Sequence, residues 1–384
     1  MSIEETTQPV ALDEDRQQQA RTYSRIQRRL MFVDLIVGAA YLMVWLALGL
    51  NVVLREWVAA RASQPFWAVL IFVLLFGLPY TLISLPMSFY SGFVLPHRFG
   101  LSNQSFGGWV TDQAKSLALS GVLGLAVIEL IYWLLRSAPQ WWWLIAAGVL
   151  LLFTVVLSTL APVLIAPLFY KFIPLDDGEL RRRLLSLAER AGTEVKGVYR
   201  FDMSTRTKSA NAAVMGLGRT RRIVLGDTLL DEFTVDEIET VLAHELAHIV
   251  HRDMPLLVAF NSALTLLSLW AASLALRWGV GALGLQGIAD PGGLPLLALV
   301  LGAVGLVTMP PGNALSRWRE RMADRCALAM TGKPAAFADA MTRLANQNLG
   351  EMNPERWEVV LFHSHPPLAE RVAAARAFTP PPPA

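Results

Sequence analysis

Trp141-Trp-Trp-Leu-Ile-Ala-Ala-Gly-Val-Leu-Leu-Leu-Phe-Thr-Val-Val-Leu-Ser-Thr-Leu-Ala-Pro-Val-Leu-Ile-Ala-Pro-Leu-Phe169 contains no Asp, Glu, Lys or Arg. About 20 apolar residues cross the hydrocarbon core of a bilayer as a helix, and this stretch exceeds that length. Five more are long and nearly free of charge: Met31–Val53, Phe66–Tyr90, Ser116–Leu135, Met254–Leu276 and Leu294–Leu315. One such block can be the buried helix of a soluble core, but six in one chain point to membrane spans. The first begins too far in, and is too long, for a cleaved signal peptide, and no small-residue cleavage site follows it. Trp57, Trp67, Tyr90, Trp109, Trp133 and the Trp141–Trp143 run stand at block ends, where an interfacial aromatic belt sits.

The composition agrees. Of 384 residues, 54% are hydrophobic and 17% charged, against about 45–50% and roughly 25% in soluble chains. Collagen-like, disordered and disulfide-scaffold classes are excluded. The single cysteine, Cys326, can form no internal disulfide, and a small packed hydrophobe is its expected role. A net charge of +2 gives no reason to expect nucleic acid as a partner. If all six blocks span and the N-terminus is cytoplasmic, every Lys and Arg falls inside except Arg55, Arg61, Arg136 and Arg277. The positive-inside rule then places both termini in the cytoplasm.

The expected organisation follows. Residues 1–19 are polar and acidic without an apolar period, a disordered tail. Residues 20–169 form an N-terminal membrane domain with four spans. Residues 170–253 form a small module outside the membrane, 254–315 two further spans, 316–378 C-terminal helices, and the proline-rich 379–384 a second tail. Within the module a helix is predicted over 180–191, stopped by Gly192, with strands at 195–201 and 222–225 and an extended piece at 209–216. Thr234 followed by Glu237 is a capping-box signature, and it opens a helix running through Val250.

That helix carries His244-Glu245-Leu246-Ala247-His248. Residues four apart share a helix face. Two imidazoles at this spacing can hold one zinc ion, and the glutamate between them can take a proton from water. Two surface histidines are the alternative. A catalytic zinc needs a third protein ligand. His251 shares the face but lies about 10.5 Å from His244 along the axis, too far along one line to surround an ion. A second helix suits better. Glu320 and Asp324 are one turn apart after the sixth block. Glu320 can complete the ligand set and Asp324 can hold a histidine by its other ring nitrogen; a solvated charged face is the alternative. His363-Ser364-His365-Pro366-Pro367 offers a histidine that can stabilise an oxyanion, or a loop histidine without a role.

The chain resembles the CAAX prenyl protease type 1 family, integral-membrane zinc metalloproteases of the gluzincin type. Phe99-Gly100-Leu-Ser-Asn103-Gln104-Ser105 with Asp112 and Lys115, and Pro167-Leu168-Phe169-Tyr-Lys-Phe-Ile-Pro174-Leu175, carry the resemblance in the membrane half. Ser209-Ala-Asn211-Ala212, Arg222-Ile-Val-Leu-Gly-Asp227-Thr228-Leu229-Leu230, the HExxH, Ser316-Arg317 with Glu320 and Ala323-Asp324, and Ser364-His365-Pro366-Pro367-Leu368 with Glu370-Arg371 carry it elsewhere. It implies that His244, His248 and Glu320 ligate Zn2+ and that Glu245 is the catalytic base. It further implies that Asp324 supports a ligand, that His365 assists near the transition state, and that Asn211 belongs to a strand pairing with the substrate backbone.

The implied fold is a mainly α-helical polytopic membrane protein, with six transmembrane helices enclosing a chamber and a small α+β zincin-like catalytic module on the cytoplasmic side. The family's eukaryotic members usually have seven spans, a long polar insertion before the zinc helix, and commonly HELGH in place of HELAH. A compact bacterial member in the inner membrane is therefore expected, acting on a peptide or protein substrate, lipidated or not, with the lipid bilayer as its other partner. Two other readings compete: an HtpX-type quality-control protease, suggested by His251-Arg252-Asp253-Met254, and a non-enzymatic metal-binding membrane protein. Glu129, in the middle of the third block, is costly in lipid and implies a chamber wall or a partner.

Overall fold

A computed structural model describes residues 9–216 and 218–379. The membrane half begins with α1 (Glu14–Ala47), the short α2 (Leu50–Ala59) and α3 (Pro65–Phe89), then α4 (Phe106–Ser137) and α5 (Trp142–Leu160). Helices α3 and α5 continue through π-helical turns, Tyr90–Val94 and Ala161–Ile165, into short final helices. Pro79 and Pro86 lie within α3 and Pro162 within the second π-turn; a proline in a helix removes a backbone bond and bends the axis. The module follows, with β1 (Phe172–Pro174), α6 (Glu179–Arg190), β2 (Val198–Phe201), β3 (Ala212–Met215), β4 (Arg222–Gly226), α7 (Asp227–Glu232) and α8 (Val235–Val250). The chain ends with α9 (Asp253–Ala282), α10 (Leu294–Thr331), α11 (Pro334–Asn348), α12 (Arg356–Phe362) and α13 (Leu368–Arg376).

Among the described residues, six helices are long and apolar enough to cross a membrane: α1, α3, α4, α5, α9 and α10. Each packs on the next in that order, and α10 packs back on α1. Helices pack about 8–10 Å apart, so six in a closed ring leave an axial space about one helix wide. No residue in the most apolar stretch of α1 or of the α5 span is buried, as expected of a wall with lipid on one side and a hollow on the other. Two cores close the ends. At one, Phe72, Tyr132, Leu135 and Trp142 pack with Leu269 and Leu276. At the other stands the catalytic module.

The module's sheet has the order β1-β2-β4-β3. β2 and β4 are parallel, from Val198↔Ile223 to Phe201↔Gly226, while β1 and β3 are antiparallel additions at the two edges. Val198, Ile223 and Leu225 turn inward and pack with Leu184 and Leu187 of α6 and with Ile238, Leu242 and Leu246 of α8. Each fully buried leucine contributes about 1.5–3 kcal/mol. Gly216, at φ +93°, ends β3, and a Cβ there would meet the Thr220 carbonyl oxygen at 2.8 Å. This turn admits glycine alone without distortion.

The structure corrects several boundaries. The expected tail of 1–19 is helical from Glu14. Asp13 caps α1 by accepting from the Arg16 amide at 2.9 Å, the Arg16 guanidinium donates to the Asn346 and Gln347 carbonyls, and Gln17 is buried. The Arg16 side-chain bonds are tertiary contacts that no local apolar period announces. Residues 1–8 and 380–384, the remainder of the two expected tails, lie outside the described residues. The divisions at 19/20 and 315/316 fall inside α1 and α10, because a helix need not stop where hydrophobicity does. The strand expected from 195 begins at Val198, the extended piece at 209–216 is strand over Ala212–Met215, and β1 was not expected.

Candidate active site

Helix α8 is fixed at its start by a complete capping box. The Thr234 amide donates to Glu237 Oε2 at 2.7 Å, and the Glu237 amide donates to Thr234 Oγ1 at 3.3 Å. Its apolar face lies in the module core, so the opposite face, with His244 and His248, meets α10. The two Nε2 atoms are 3.3 Å apart and the rings cross at 87°. Glu320 approaches from α10, with Oε2 3.2 Å from His244 Nε2 and Oε1 3.5 Å from His248 Nε2. These three residues offer ligand atoms within 4.8 Å of one another. His251, the C-cap of α8, is not among them.

The outer ring nitrogens are taken up elsewhere. His244 Nδ1 lies 2.8 Å from Asp324 Oδ1, and Arg371 of α13 binds that carboxylate at 2.6 and 2.9 Å. His248 Nδ1 lies 2.6 Å from Asp253 Oδ2 at the start of α9. Both imidazoles therefore present Nε2 lone pairs to one point. Glu320 Oε2 is buried, and the polar atom it faces is His244 Nε2. A buried carboxylate is costly unless a cation or a protonated partner meets it. Two imidazoles, one carboxylate and room for a fourth group suit a catalytic divalent metal.

The electrostatics point the same way. Burial pulls the His244 imidazole down, but hydrogen bonds to Asp324 and Glu320 overcome this and push it up to about 9. The carboxylates that hold a proton there would hold a metal cation in its place. Burial pushes the Glu245 carboxyl above its ordinary value, against the lowering influence of His244 and His248.

His365, in the loop before α13, places Nε2 3.5 Å from Glu320 Oε1, with Ser364 Oγ 3.0 Å from Nδ1. Its side chain is 62% exposed, so the cluster opens to solvent on this side. Asn211 is exposed just before β3, and its carbonyl accepts from the Gly226 amide at 2.9 Å. In an antiparallel ladder alternate residues bond inward. Asn211 and Ala213 thus face β4, and Ala212 and Val214 turn their backbone groups to the open edge. Helix α8 lies against this strand. Cys326 is half-buried on α10. Glu129 is half-buried on α4, its Oε1 without a hydrogen-bond partner among the described residues.

Sequence reasoning passed over the roles of Asp253, Arg319 and Arg371 beside this cluster, and of Asn348 beside Ala210. Arg371 was visible only as part of a motif. Asp253, five positions after His248, carried no spacing signal, since the chain turns at Arg252 with φ 54°. Asn348 ends α11, and its amide bonds both backbone groups of Ala210, at 2.8 and 3.1 Å, much as a neighbouring strand would.

The comparisons with known proteins cover both halves. Residues 5–171 match the family described as CAAX prenyl protease N-terminal, five membrane helices, and residues 174–379 match peptidase family M48. In the first region the described residues hold four spans and the ten-residue α2. CAAX prenyl protease 1 of Saccharomyces cerevisiae is 31% identical, over 77% of this chain and 69% of its own length. The uncharacterized metalloprotease YhfN of Bacillus subtilis is 29% identical, over 93% of this chain and 84% of its own. The crystal structure of Ste24p from S. mikatae superimposes with a TM-score of 0.85 at 28% identity, covering 97% of this chain and 92% of that one. The likeness favours the prenyl protease architecture over the heat-shock alternative. Membrane ring and zincin module align together with one architecture along nearly the whole chain, so the chain belongs to peptidase family M48 and is an integral-membrane metalloprotease.

Proposed function

We propose that the chain is a zinc endopeptidase that cuts protein substrates presented from the bilayer, with His244, His248 and Glu320 holding Zn2+. The convergence of two Nε2 atoms on the buried Glu320 carboxylate carries this reading. Bound zinc would polarise the scissile carbonyl and make a nearby water more acidic. Glu245 takes the proton of the attacking water and returns it to the leaving amine. Its raised proton affinity suits that transfer. His365, open to solvent beside Glu320, donates to the carbonyl oxygen as charge develops on it. The substrate backbone adds to the open edge of β3 beside Asn211, using the outward groups of Ala212 and Val214.

Lipidated C-terminal peptides are the first substrate class to test, because relatives bearing the name CAAX prenyl protease match most of this chain. The skewed distribution of Lys and Arg supports both termini, and the site, on the cytoplasmic side of a bacterial inner membrane. Glu245→Gln in the purified protein should keep its metal and lose cleavage by about 10²–10⁴-fold; full activity would remove Glu245 from the mechanism. A farnesylated CAAX peptide should be cut faster than its unmodified twin. Equal rates would remove the lipid from recognition.

A further inference from the structure

Asp253 divides its two oxygens between two partners. Oδ2 lies 2.6 Å from His248 Nδ1, and Oδ1 accepts from Arg319 Nε at 2.5 Å. Asp253 and Arg319 are both buried, at 3% and 8% exposure. Arg319 also donates to the His251 carbonyl at 2.9 Å, and so satisfies one of the carbonyls left open at the end of α8. One guanidinium thus ties three elements: the end of the HExxH helix, the first residue of the fifth span, and the sixth span beside Glu320. The arrangement repeats the Arg371–Asp324 pair on His244.

We propose that Asp253 and Arg319 are positioning residues for the metal site. They fix the ring of His248 with Nε2 inward and register α8 against the spans that follow it. This rests on the reading of His244, His248 and Glu320 as metal ligands. Asp253 accepts the Nδ1 proton, which leaves the Nε2 lone pair for the metal. Arg319 holds the Asp253 carboxylate aimed at the ring. Without the pair, the His248 ring can rotate and the crossing of α8 with α10 loses a tie, while the three ligands remain.

The test measures Zn2+ affinity of the full-length protein in detergent by competition with a chelator, with the visible spectrum of the Co2+ form as a second readout. Removing Asp253 alone would strand a buried guanidinium, so the variant is the double D253N/R319M. It should bind Zn2+ about 10- to 100-fold more weakly, the usual effect of losing a partner behind a ligand, with an altered Co2+ spectrum. Arg319→Lys, which keeps the charge and loses the fork, should fall between. A control, R55M/D290N, removes a comparable buried pair at the far end of the ring and should leave Zn2+ affinity unchanged. Wild-type affinity in D253N/R319M, or equal weakening in the control, overturns the positioning role. A wild-type protein that binds no Zn2+ overturns the metal site itself, and with it this proposal.

Discussion

Glu320 and Asp324 stand one turn apart on α10 and live in different surroundings. Asp324 is bound by Arg371 and touches His244 Nδ1, whereas Glu320 is buried facing the Nε2 atoms of both histidines, with no Arg or Lys paired to it among the described residues. From the sequence the two acids look alike, because spacing says which face they share and not what arrives opposite them. Arg371 arrives from 47 positions further along, a distance that no local pattern spans. Their variants should therefore differ. Asp324→Asn should weaken Zn2+ binding about 10- to 100-fold, and Glu320→Gln should weaken it further, since it removes a proposed ligand. Metal content after dialysis against a graded chelator series checks the order; equal losses would mean that Glu320 does not ligate.

At the scale of the element, α8 shows what was legible and what was not. Its start was written locally, in Thr234 and Glu237. Thr234→Ala should cost about 1 kcal/mol, seen as faster hydrogen exchange at the Asp236 and Glu237 amides, with slower exchange than wild type as the contrary result. The charged face of α8 needed the fold. Burial raises the Glu239 carboxyl, but Lys333 and Arg183 outweigh this, and its proton affinity falls below the ordinary value of 4.5. A depressed carboxylate stabilises the folded state above its unfolded pKa and loses that contribution as pH falls through the folded one. The wild-type advantage over Glu239→Gln should thus be full at neutral pH and shrink below about 4.5. Thermal melts of both proteins across that range check it; a gap constant with pH would refute the linkage. β1 and the Asn348 contact to Ala210 also stayed hidden, since each depends on a partner distant in sequence.

For the whole molecule, the apolar blocks revealed six spans, and the closing of the ring depended on contacts at its ends. The end away from the module is tied by charge. Arg55 Nη1 binds Asp290 Oδ2 at 2.9 Å and the Gly284 carbonyl at 3.0 Å, and Asn51 Nδ2 donates to the Gly292 carbonyl at 2.9 Å. Asp290 also accepts from the Gln286 and Gly292 amides, each at 2.8 Å. Helix α2 is thereby fastened to the loop joining the fifth and sixth spans, so the first two spans are held to the last two across the ring. This is the work of Arg55, which the charge count recorded only as one of four basic residues outside. Asp290→Ala leaves the buried guanidinium only the exposed Glu56 carboxylate, 3.0 Å from Nη2, and should cost about 3 kcal/mol. The double R55M/D290N, which leaves no lone buried charge, should cost less. Thermal unfolding in detergent, followed by tryptophan fluorescence, should rank the proteins wild type, double, then single. A single variant as stable as wild type would mean that apolar packing around Phe72, Tyr132 and Trp142 closes that end unaided.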